Sequence, residues 1–199
     1  MNANKNANNL YDDKFYDRYD KPVWKQDDVY VANWIDKNLK GKTIGDLGCG
    51  KATIISELKN KGWNVWGLDV SDSFKSHVPQ NVKNDVRQAD LSSVLELPRA
   101  DVAMSLEVAE HLPKGSQIHF VENLMKPCPD TIMMTVATPG QESRYHFNIQ
   151  PRRVWIEEVE KRGYKENEAL EYRFKYDMDG KLKVKTWYSW NILIFNKAK

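Results

Sequence analysis

The stretch TIGDLGCGKAT, residues 43–53, limits the fold more than any other part of the sequence. Its first half is a short buried-strand candidate that contains Asp46, and Gly48 and Gly50 follow at once. Glycines at such a place let the backbone approach a ligand that a side chain would block. The pattern therefore predicts a strand, a ligand-binding turn and then a helix.

Strand-like and helix-like segments alternate along most of the chain. The predicted strands are TIGDLG (43–48), NVWGLDV (64–70), DVRQADL (85–91), ADVAMSL (100–106) and TIMMTVA (131–137), and the predicted helices cover 27–39, 52–62, 116–125 and 151–163. Alternation at this spacing predicts parallel strands with helices on both faces. Residues 169–197, around the Asp-Gly turn signal at 179–180, are predicted to form antiparallel strands without a further helix.

Composition indicates a single soluble globular domain. The chain has 199 residues, of which 41% are apolar and 29% charged, and two cysteines, too few for a disulfide framework. We predict a disordered tail at residues 1–10 and one domain at residues 11–199. The net charge of +2 does not indicate a nucleic-acid partner, and no apolar run approaches the ~20 residues of a membrane span. We therefore expect a cytoplasmic protein that does not contact membranes.

The acids around the glycine turn indicate the charge of the ligand. Dinucleotide-binding turns carry a third glycine three residues after the second, where this chain has Thr53, and Asp46 would repel a pyrophosphate. A cationic cofactor without phosphate fits better. Asp69, twenty-three residues after Asp46, ends the second predicted strand, where a carboxylate can accept both hydrogens of a ribose diol.

These motifs resemble those of the class I S-adenosylmethionine-dependent methyltransferases over roughly residues 11–196. GDLGCGKAT resembles their first motif, GLDVS their ribose-binding strand end, QADL the loop beside adenine, and SLEVAEHL their strand-four motif. The resemblance implies a Rossmann-like methyltransferase fold, with seven strands in a doubly wound, mostly parallel sheet that has an antiparallel C-terminal strand. It also implies S-adenosyl-L-methionine as the cofactor.

The resemblance also implies a set of cofactor-binding residues. The set comprises Asp46, Gly48, Cys49 and Gly50 at the methionine part, Asp69 and Val70 at the ribose, Asp90 and Leu91 at the adenine, Glu107 at the open side, and Tyr16 and Trp24 from an aromatic lid segment, residues 11–40. Two positions depart from the family pattern. Gly45 replaces a bulky aliphatic residue and Ala52 replaces a third glycine, so we expect weakened packing without loss of binding.

The acceptor is expected at the carboxyl ends of the fourth and fifth predicted strands. Glu110, His111 and His146 are the predicted catalytic residues, and His146, Asn148 and Gln150 alternate along a loop that can present them to the acceptor. A purely structural role is the alternative. In that case Glu110 and His111 cap a helix, and the loop is anchored by its own polar side chains.

We predict methyl transfer to a hydroxyl, or less readily an amine, of a small-molecule or carbohydrate-like acceptor. One alternative rests on the pattern E-x-x-E-H at residues 107–111 with a later histidine, His146, which resembles the metal-binding set of the small-RNA 3′-terminal 2′-O-methyltransferases. The same motif also resembles metal-free methyltransferases of phenols, quinones and sugars, so we expect no metal. A second alternative is a non-catalytic partner subunit that binds S-adenosylmethionine.

Overall fold

A computed structural model describes residues 11–18 and 20–198, and the predicted tail at residues 1–10 lies outside them. Seven strands form one sheet in the order β3-β2-β1-β4-β5-β7-β6. Their bounds are β1 Thr43–Leu47, β2 Asn64–Asp69, β3 Val86–Gln88, β4 Val102–Leu106, β5 Thr131–Thr135, β6 Tyr164–Glu166 and β7 Ile192–Lys197. The first five strands run parallel, and β7 pairs antiparallel with both β5 and β6. The predicted fold class is confirmed.

Helices connect the strands and cover both faces of the sheet. Their bounds are α1 Asp13–Arg18, α2 Pro22–Asn38, α3 Thr53–Asn60, α4 Phe74–His77, α5 Gln117–Met125, α6 Arg152–Glu160, α7 Glu168–Met178 and α8 Trp187–Asn191, with single 3-10 turns at Gln80–Val82 and Ala109–His111. Within the described part of the chain, every helix is too short or too polar to cross a bilayer.

Alternate strand residues supply two separate hydrophobic cores. In β7, Ile192 and Ile194 join the core beneath α2, α3 and α7, whereas Leu193 and Phe195 join the core beneath α5 and α6. Successive strand side chains point to opposite faces, so a strand covered on both sides is apolar throughout.

The prediction that residues 169–197 form antiparallel strands without a further helix is wrong in two places, because α7 and α8 are both helices. Residues 168–178, predicted as strand, form α7, because Glu171, Phe174 and Met178 are buried at helical spacing. The turn at residues 179–180 therefore ends a helix instead of joining two strands. Within residues 169–197 the structure has one strand, β7, and its antiparallel partner β6 precedes α7.

The expected loss of packing at Gly45 is also wrong. The indole ring of Trp66 in β2 lies over Gly45, and a Cβ atom there would come within 2.1 Å of the ring. The space that a bulky residue at position 45 would fill is occupied by the side chain of Trp66 from β2. Ala52 is buried and adopts a left-handed conformation with φ of 54°, so the strain caused by the missing glycine is confined to the residue before α3.

Candidate functional site

A cavity of about 660 Å³ opens at the carboxyl ends of the parallel strands. The strand order reverses between β1 and β4, and ligands of open α/β sheets bind at such a point. All eleven predicted cofactor-binding residues line this cavity: Tyr16, Trp24, Asp46, Gly48, Cys49, Gly50, Asp69, Val70, Asp90, Leu91 and Glu107. The sequence motifs therefore converge on one site.

The glycine turn after β1 brings backbone to the cavity wall. The N–H groups of Gly48 and Cys49 donate to the carbonyl oxygen of Leu68, at 2.8 and 2.7 Å, which holds the turn against β2. Gly48 has φ of 92°, and a Cβ atom there would lie 2.3 Å from Val108. Gly50 has φ of 49°, and a Cβ atom there would meet nothing within 4 Å. A ligand can thus approach the backbone at Gly50.

Asp69 lies at the end of β2 and is fixed by neighbouring donors. Its Oδ2 accepts from the N–H of Gly50 at 2.8 Å, and its Oδ1 accepts from the N–H of Ser71 at 3.0 Å and from the hydroxyl of Tyr16 at 3.4 Å. Burial raises the pKa of Asp69 and these donors lower it. The Tyr16 hydroxyl reaches the carboxylate on which the resemblance places a ribose.

Asp46 is the most deeply buried acid of the cavity wall, with 4% of its surface exposed. Burial, together with the negative charges of Asp28 and Asp69, raises its pKa to about 8. A carboxyl group is neutral well below its pKa, so Asp46 carries a proton near pH 7 while no cation lies beside it.

Glu107 is held by contacts on both its backbone and its side chain. Its φ of 55° is left-handed, and its N–H donates to Oγ1 of Thr135 at 2.9 Å. The side-chain amide of Asn191 donates to its Oε1 at 3.1 Å. A non-glycine residue in this conformation is strained, and such strain concentrates at functional sites. The α8 helix thus positions a carboxylate of the cavity wall.

The lid segment covers one side of the cavity with aromatic rings. Tyr16 stacks on His77 with ring centroids 5.1 Å apart, and Trp24 lies 5.9 Å from Trp187 by the same measure. Lys51 pairs with Asp20 at the rim. The lid is therefore attached to the ribose side through His77 and to the C-terminal segment through Trp187.

Glu110, His111 and His146 form a compact group beside the cavity. One ligand-type atom from each lies within 4.8 Å of the others, and among the described residues neither oxygen of Glu110 has a hydrogen-bond partner. Burial, followed by the charge of Glu107, raises the pKa of Glu110. Burial lowers the pKa of His111 to about 4, so this imidazole is uncharged at neutral pH.

Comparison with known proteins agrees with this geometry. Residues 45–125 match the model of a methyltransferase domain. The chain is 32% identical over 115 residues to a ubiquinone biosynthesis O-methyltransferase of Pseudomonas paraeruginosa, a match that covers 53% of the chain and 50% of that relative. Over residues 45–125 the chain is thus similar to a methyltransferase domain.

Solved structures of methyltransferases share the fold at low sequence identity. Magnesium protoporphyrin IX methyltransferase from Synechocystis PCC 6803, crystallised with bound SAH, superposes with a TM-score of 0.71 at 15% identity, covering 98% of this chain and 99% of that one. A sugar N-methyltransferase from Streptoalloteichus sp. ATCC 53650 has a TM-score of 0.65 at 10% identity, covering 94% and 92%. The chain spans about half the length of the curated relatives it matches.

The predicted acceptor-side residues occupy different positions. His111 lines the cavity, whereas Glu110, His146, Asn148 and Gln150 are not among the lining residues. Asn148 is fully buried: its backbone N–H donates to the carbonyl of Glu110 at 3.0 Å, and its amide accepts a hydrogen bond from Gln150. These contacts anchor the loop after β5. Substrate contact by Asn148 and Gln150 stays a prediction.

Sequence reasoning missed part of the cavity wall. Asp28 from α2 and Lys185 from the segment before α8 both line the cavity, with Tyr188 and Phe147. A pair of adjacent acids in an amphipathic helix is the signal that could have indicated Asp28. Nothing in the local pattern around Lys185 distinguishes it from the other lysines nearby.

Proposed function

We propose that this chain transfers a methyl group from S-adenosyl-L-methionine to a hydroxyl group of a small-molecule or carbohydrate-like acceptor. The observation that carries the proposal is the charge of the cavity wall at the glycine turn. Among the described residues that line the cavity, six carry carboxylates and three are lysines: Asp20, Asp28, Asp46, Asp69, Asp90 and Glu107 against Lys25, Lys51 and Lys185.

This charge distribution fits a cation and does not fit a phosphate. Two of the lysines, Lys51 and Lys185, already pair with Asp20 and Asp28. Asp46 and Asp69 lie beside the glycine turn, and no lysine of the described residues forms an ion pair with either. A sulfonium or ammonium group near them would compensate the lost hydration of Asp69 and favour the ionised form of Asp46, whereas a pyrophosphate would favour neither carboxylate.

The residues present can hold each part of S-adenosylmethionine. Asp69 has the acceptor oxygens for a ribose diol, and Gly50 allows close approach of the backbone. The half-buried Asp90 and the buried Leu91 offer a wall for a flat base. When bound, this cofactor supplies a methyl group that a hydroxyl oxygen can attack as the carbon–sulfur bond breaks. The aromatic rings of the lid segment cover one side of that part of the cavity.

His111 supports a hydroxyl as the acceptor group. Its Nδ1 lies 3.0 Å from the carbonyl oxygen of Tyr145, which can only accept, so Nδ1 carries the proton and Nε2 is the basic nitrogen of the neutral ring. The ring lines the cavity. We propose that Nε2 accepts the hydroxyl proton, since a positioned base is useful when the nucleophile is an alcohol or phenol.

The test is methyl transfer by the purified chain with a panel of phenols, sugars and short RNAs, scored by S-adenosylhomocysteine release and by product mass. We expect product from a hydroxylated small molecule. Asp69→Ala should abolish cofactor binding by calorimetry, and the matched control Glu96→Gln, at a carboxylate with 95% side-chain exposure, should not change it. A wild-type chain that binds no S-adenosylmethionine would refute the proposal. Binding without any product would support the non-catalytic partner subunit.

The cluster of Glu110, His111 and His146 favours a second candidate function, divalent-metal-dependent 2′-O-methylation of RNA. Nδ1 of His111 lies 3.0 Å from the carbonyl of Tyr145, and Nδ1 of His146 lies 2.7 Å from that of Gln141. Backbone carbonyls thus direct both Nε2 atoms away, the usual arrangement behind metal-ligating histidines, and Glu110 adds a buried carboxylate. Glu107 is not in this group and instead contacts Asn191.

A separate experiment tests whether this cluster binds a divalent metal ion. Elemental analysis and manganese titration followed by electron paramagnetic resonance should detect a bound ion, and His146→Gln should remove it. Product from RNA alone, lost with EDTA and restored by manganese, would establish this second function over the first. Full activity on a small molecule in EDTA would eliminate it.

A further inference from the structure

Exposed aromatic side chains lie at the edge of the sheet where the cavity opens. Tyr145 and Phe147 belong to the loop after β5, and Trp190, with 72% of its surface exposed, belongs to α8. Thr135 at the end of β5 pairs with Ile192 at the start of β7, which runs antiparallel. The loop that leaves β5 and the helix that precedes β7 therefore lie at the same edge.

Trp190 extends a row of aromatic residues that begins inside the cavity. Trp24 and Trp187 both line the cavity, and their ring centroids are 5.9 Å apart. Trp190 lies three residues after Trp187 in α8, so the two side chains leave from neighbouring positions on one helix face. The buried side chain of Asn191 fixes this helix, because its amide donates to Oε1 of Glu107 at 3.1 Å. The row thus leads from the cavity to the protein surface.

The aromatic residues of the loop after β5 lie next to the proposed base. The carbonyl oxygen of Tyr145 lies 3.0 Å from Nδ1 of His111. Phe147 lines the cavity and is 45% exposed, so its ring forms part of the cavity rim. The guanidinium group of Arg144 lies 5.7 Å from the ring centroid of Tyr145. A ligand held at His111 can therefore extend past Phe147 over exposed aromatic and polar groups.

The surroundings of these rings distinguish among classes of extended ligand. Exposed apolar surface at the rim of a cavity is typical of ligand-binding grooves. Here polar residues interrupt it, such as His146 between Tyr145 and Phe147, whereas a protein or a membrane covers a continuous apolar patch. Among the described residues that line the cavity, carboxylates outnumber lysines, which disfavours a nucleic-acid chain. A saccharide chain fits, because each sugar ring has C–H groups on its faces for an aromatic ring and hydroxyls around its edge for polar side chains.

We propose that the acceptor is the end of a neutral saccharide chain, whose terminal sugar enters the cavity beside His111 and whose following sugars stack on Phe147 and Trp190. The proposal rests on the proposed function, because it names the class of acceptor that receives the methyl group. A hydroxyl oxygen of the terminal sugar bonds to the methyl carbon as that carbon leaves the sulfur, which keeps the electron pair, and the hydroxyl proton passes to Nε2 of His111. The sugars outside the cavity contribute binding alone, so they should change KM more than kcat.

The test measures methyl transfer to malto-, xylo- and chito-oligosaccharides of increasing length by S-adenosylhomocysteine release and product mass. We expect kcat/KM to increase roughly 10-fold from the monosaccharide to the tetrasaccharide, mainly through KM, and Trp190→Ala to remove most of this increase. Trp190→Phe keeps an aromatic ring and should retain it. Tyr172→Ala, at an equally exposed aromatic residue of α7, is the matched control and should change neither value.

The possible results separate this inference from the proposed function. Equal kcat/KM for the monosaccharide and the tetrasaccharide, or a length dependence that survives in Trp190→Ala, would overturn the inference and leave methyl transfer to a hydroxyl intact. Product from phenols alone or from RNA alone would also overturn it. If Trp190→Ala does not fold, Phe147→Leu provides the second measurement, and it should reduce the same length dependence. If no hydroxylated compound accepts a methyl group, the proposed function itself fails.

Discussion

S-adenosylmethionine should bind more tightly as pH rises from 6 to 8, because Asp46 must lose a proton to face a cation. Without ligand, burial and neighbouring acids hold the pKa of Asp46 at about 8. A cation in the cavity favours the carboxylate, so binding releases the proton and lowers this pKa. Affinity for S-adenosylmethionine is therefore weakened at low pH, where Asp46 is protonated. It stops increasing once the pH exceeds the pKa of Asp46 in the ligand-free chain.

The magnitude follows from the fraction of chains that have Asp46 ionised. The apparent dissociation constant is the intrinsic one divided by that fraction, which is about 1 in 100 at pH 6 and about one half at pH 8. Affinity should therefore increase about 50-fold over this range, or about 2.3 kcal/mol. The release of nearly one proton per ligand at pH 6 is the second expected result.

Calorimetry at pH 6, 7 and 8, in pairs of buffers with different ionisation enthalpies, measures both quantities. Asp46→Asn should bind weakly and lose the pH dependence, and Glu96→Gln should retain the wild-type profile. An affinity that changes less than about twofold between pH 6 and 8 would refute the reasoning, as would the same slope in Asp46→Asn.

Three predictions concern stability. Folding raises the pKa of Asp46 to about 8, so the unfolding free energy of the ligand-free chain should fall between about pH 4 and pH 8 by up to ~1.4 kcal/mol per pH unit, and Asp46→Asn should flatten the urea-derived profile. Gly45→Val should cost about 3 kcal/mol in urea unfolding because its side chain meets Trp66, and Trp66→Ala in the same chain should recover part of this loss. Arg152→Met should lower stability by about 3 kcal/mol in thermal unfolding, because it leaves the carboxylate of Glu171, only 4% exposed, without its ion pair; adding Glu171→Gln should restore most of it.

The parallel part of the fold could be predicted because its signals are local. Strands β1, β2, β4 and β5 are short, largely apolar segments, and helices α3 and α5 carry apolar residues at helical spacing. In β3 only Val86 is buried, and its signal in the sequence is weaker. The cofactor motifs could be located for the same reason: Asp46, Asp69 and Asp90 each lie at or near a strand end. The topology then places all three at one edge of the sheet.

Helix α7 could not be predicted because its aromatic residues are spaced like those of a strand. Tyr172, Phe174 and Tyr176 alternate like strand residues, yet both tyrosines are more than 70% exposed and only Phe174 is buried. The helix is instead positioned through Glu171, which binds Arg152 and accepts the backbone N–H of Ile194. From the sequence alone, a glutamate such as Glu171 is assigned to the surface, because its burial depends on a partner that the local pattern does not reveal.

For the same reason, the contact between Asp28 and Lys185 could not be predicted from the sequence. They are separated by more than 150 residues, and their meeting depends on Asp27 holding the backbone of residues 183–185. A motif search cannot find this contact, because neither residue lies in a strand-end motif. The charge of the cavity wall is therefore a property of the assembled fold, although several of its acids are visible in the sequence.

The acids of this cavity make opposite contributions to folding and to binding. Burial raises the pKa values of Asp28, Asp46 and Asp69, which means that each destabilises the ligand-free chain when ionised. A cation that neutralises the wall removes this penalty, so ligand binding should stabilise the fold more at pH 8 than at pH 6. A neutral adenosine without a tail would leave the penalty in place. Selectivity for a charged cofactor thus follows from the same burial that weakens the empty protein.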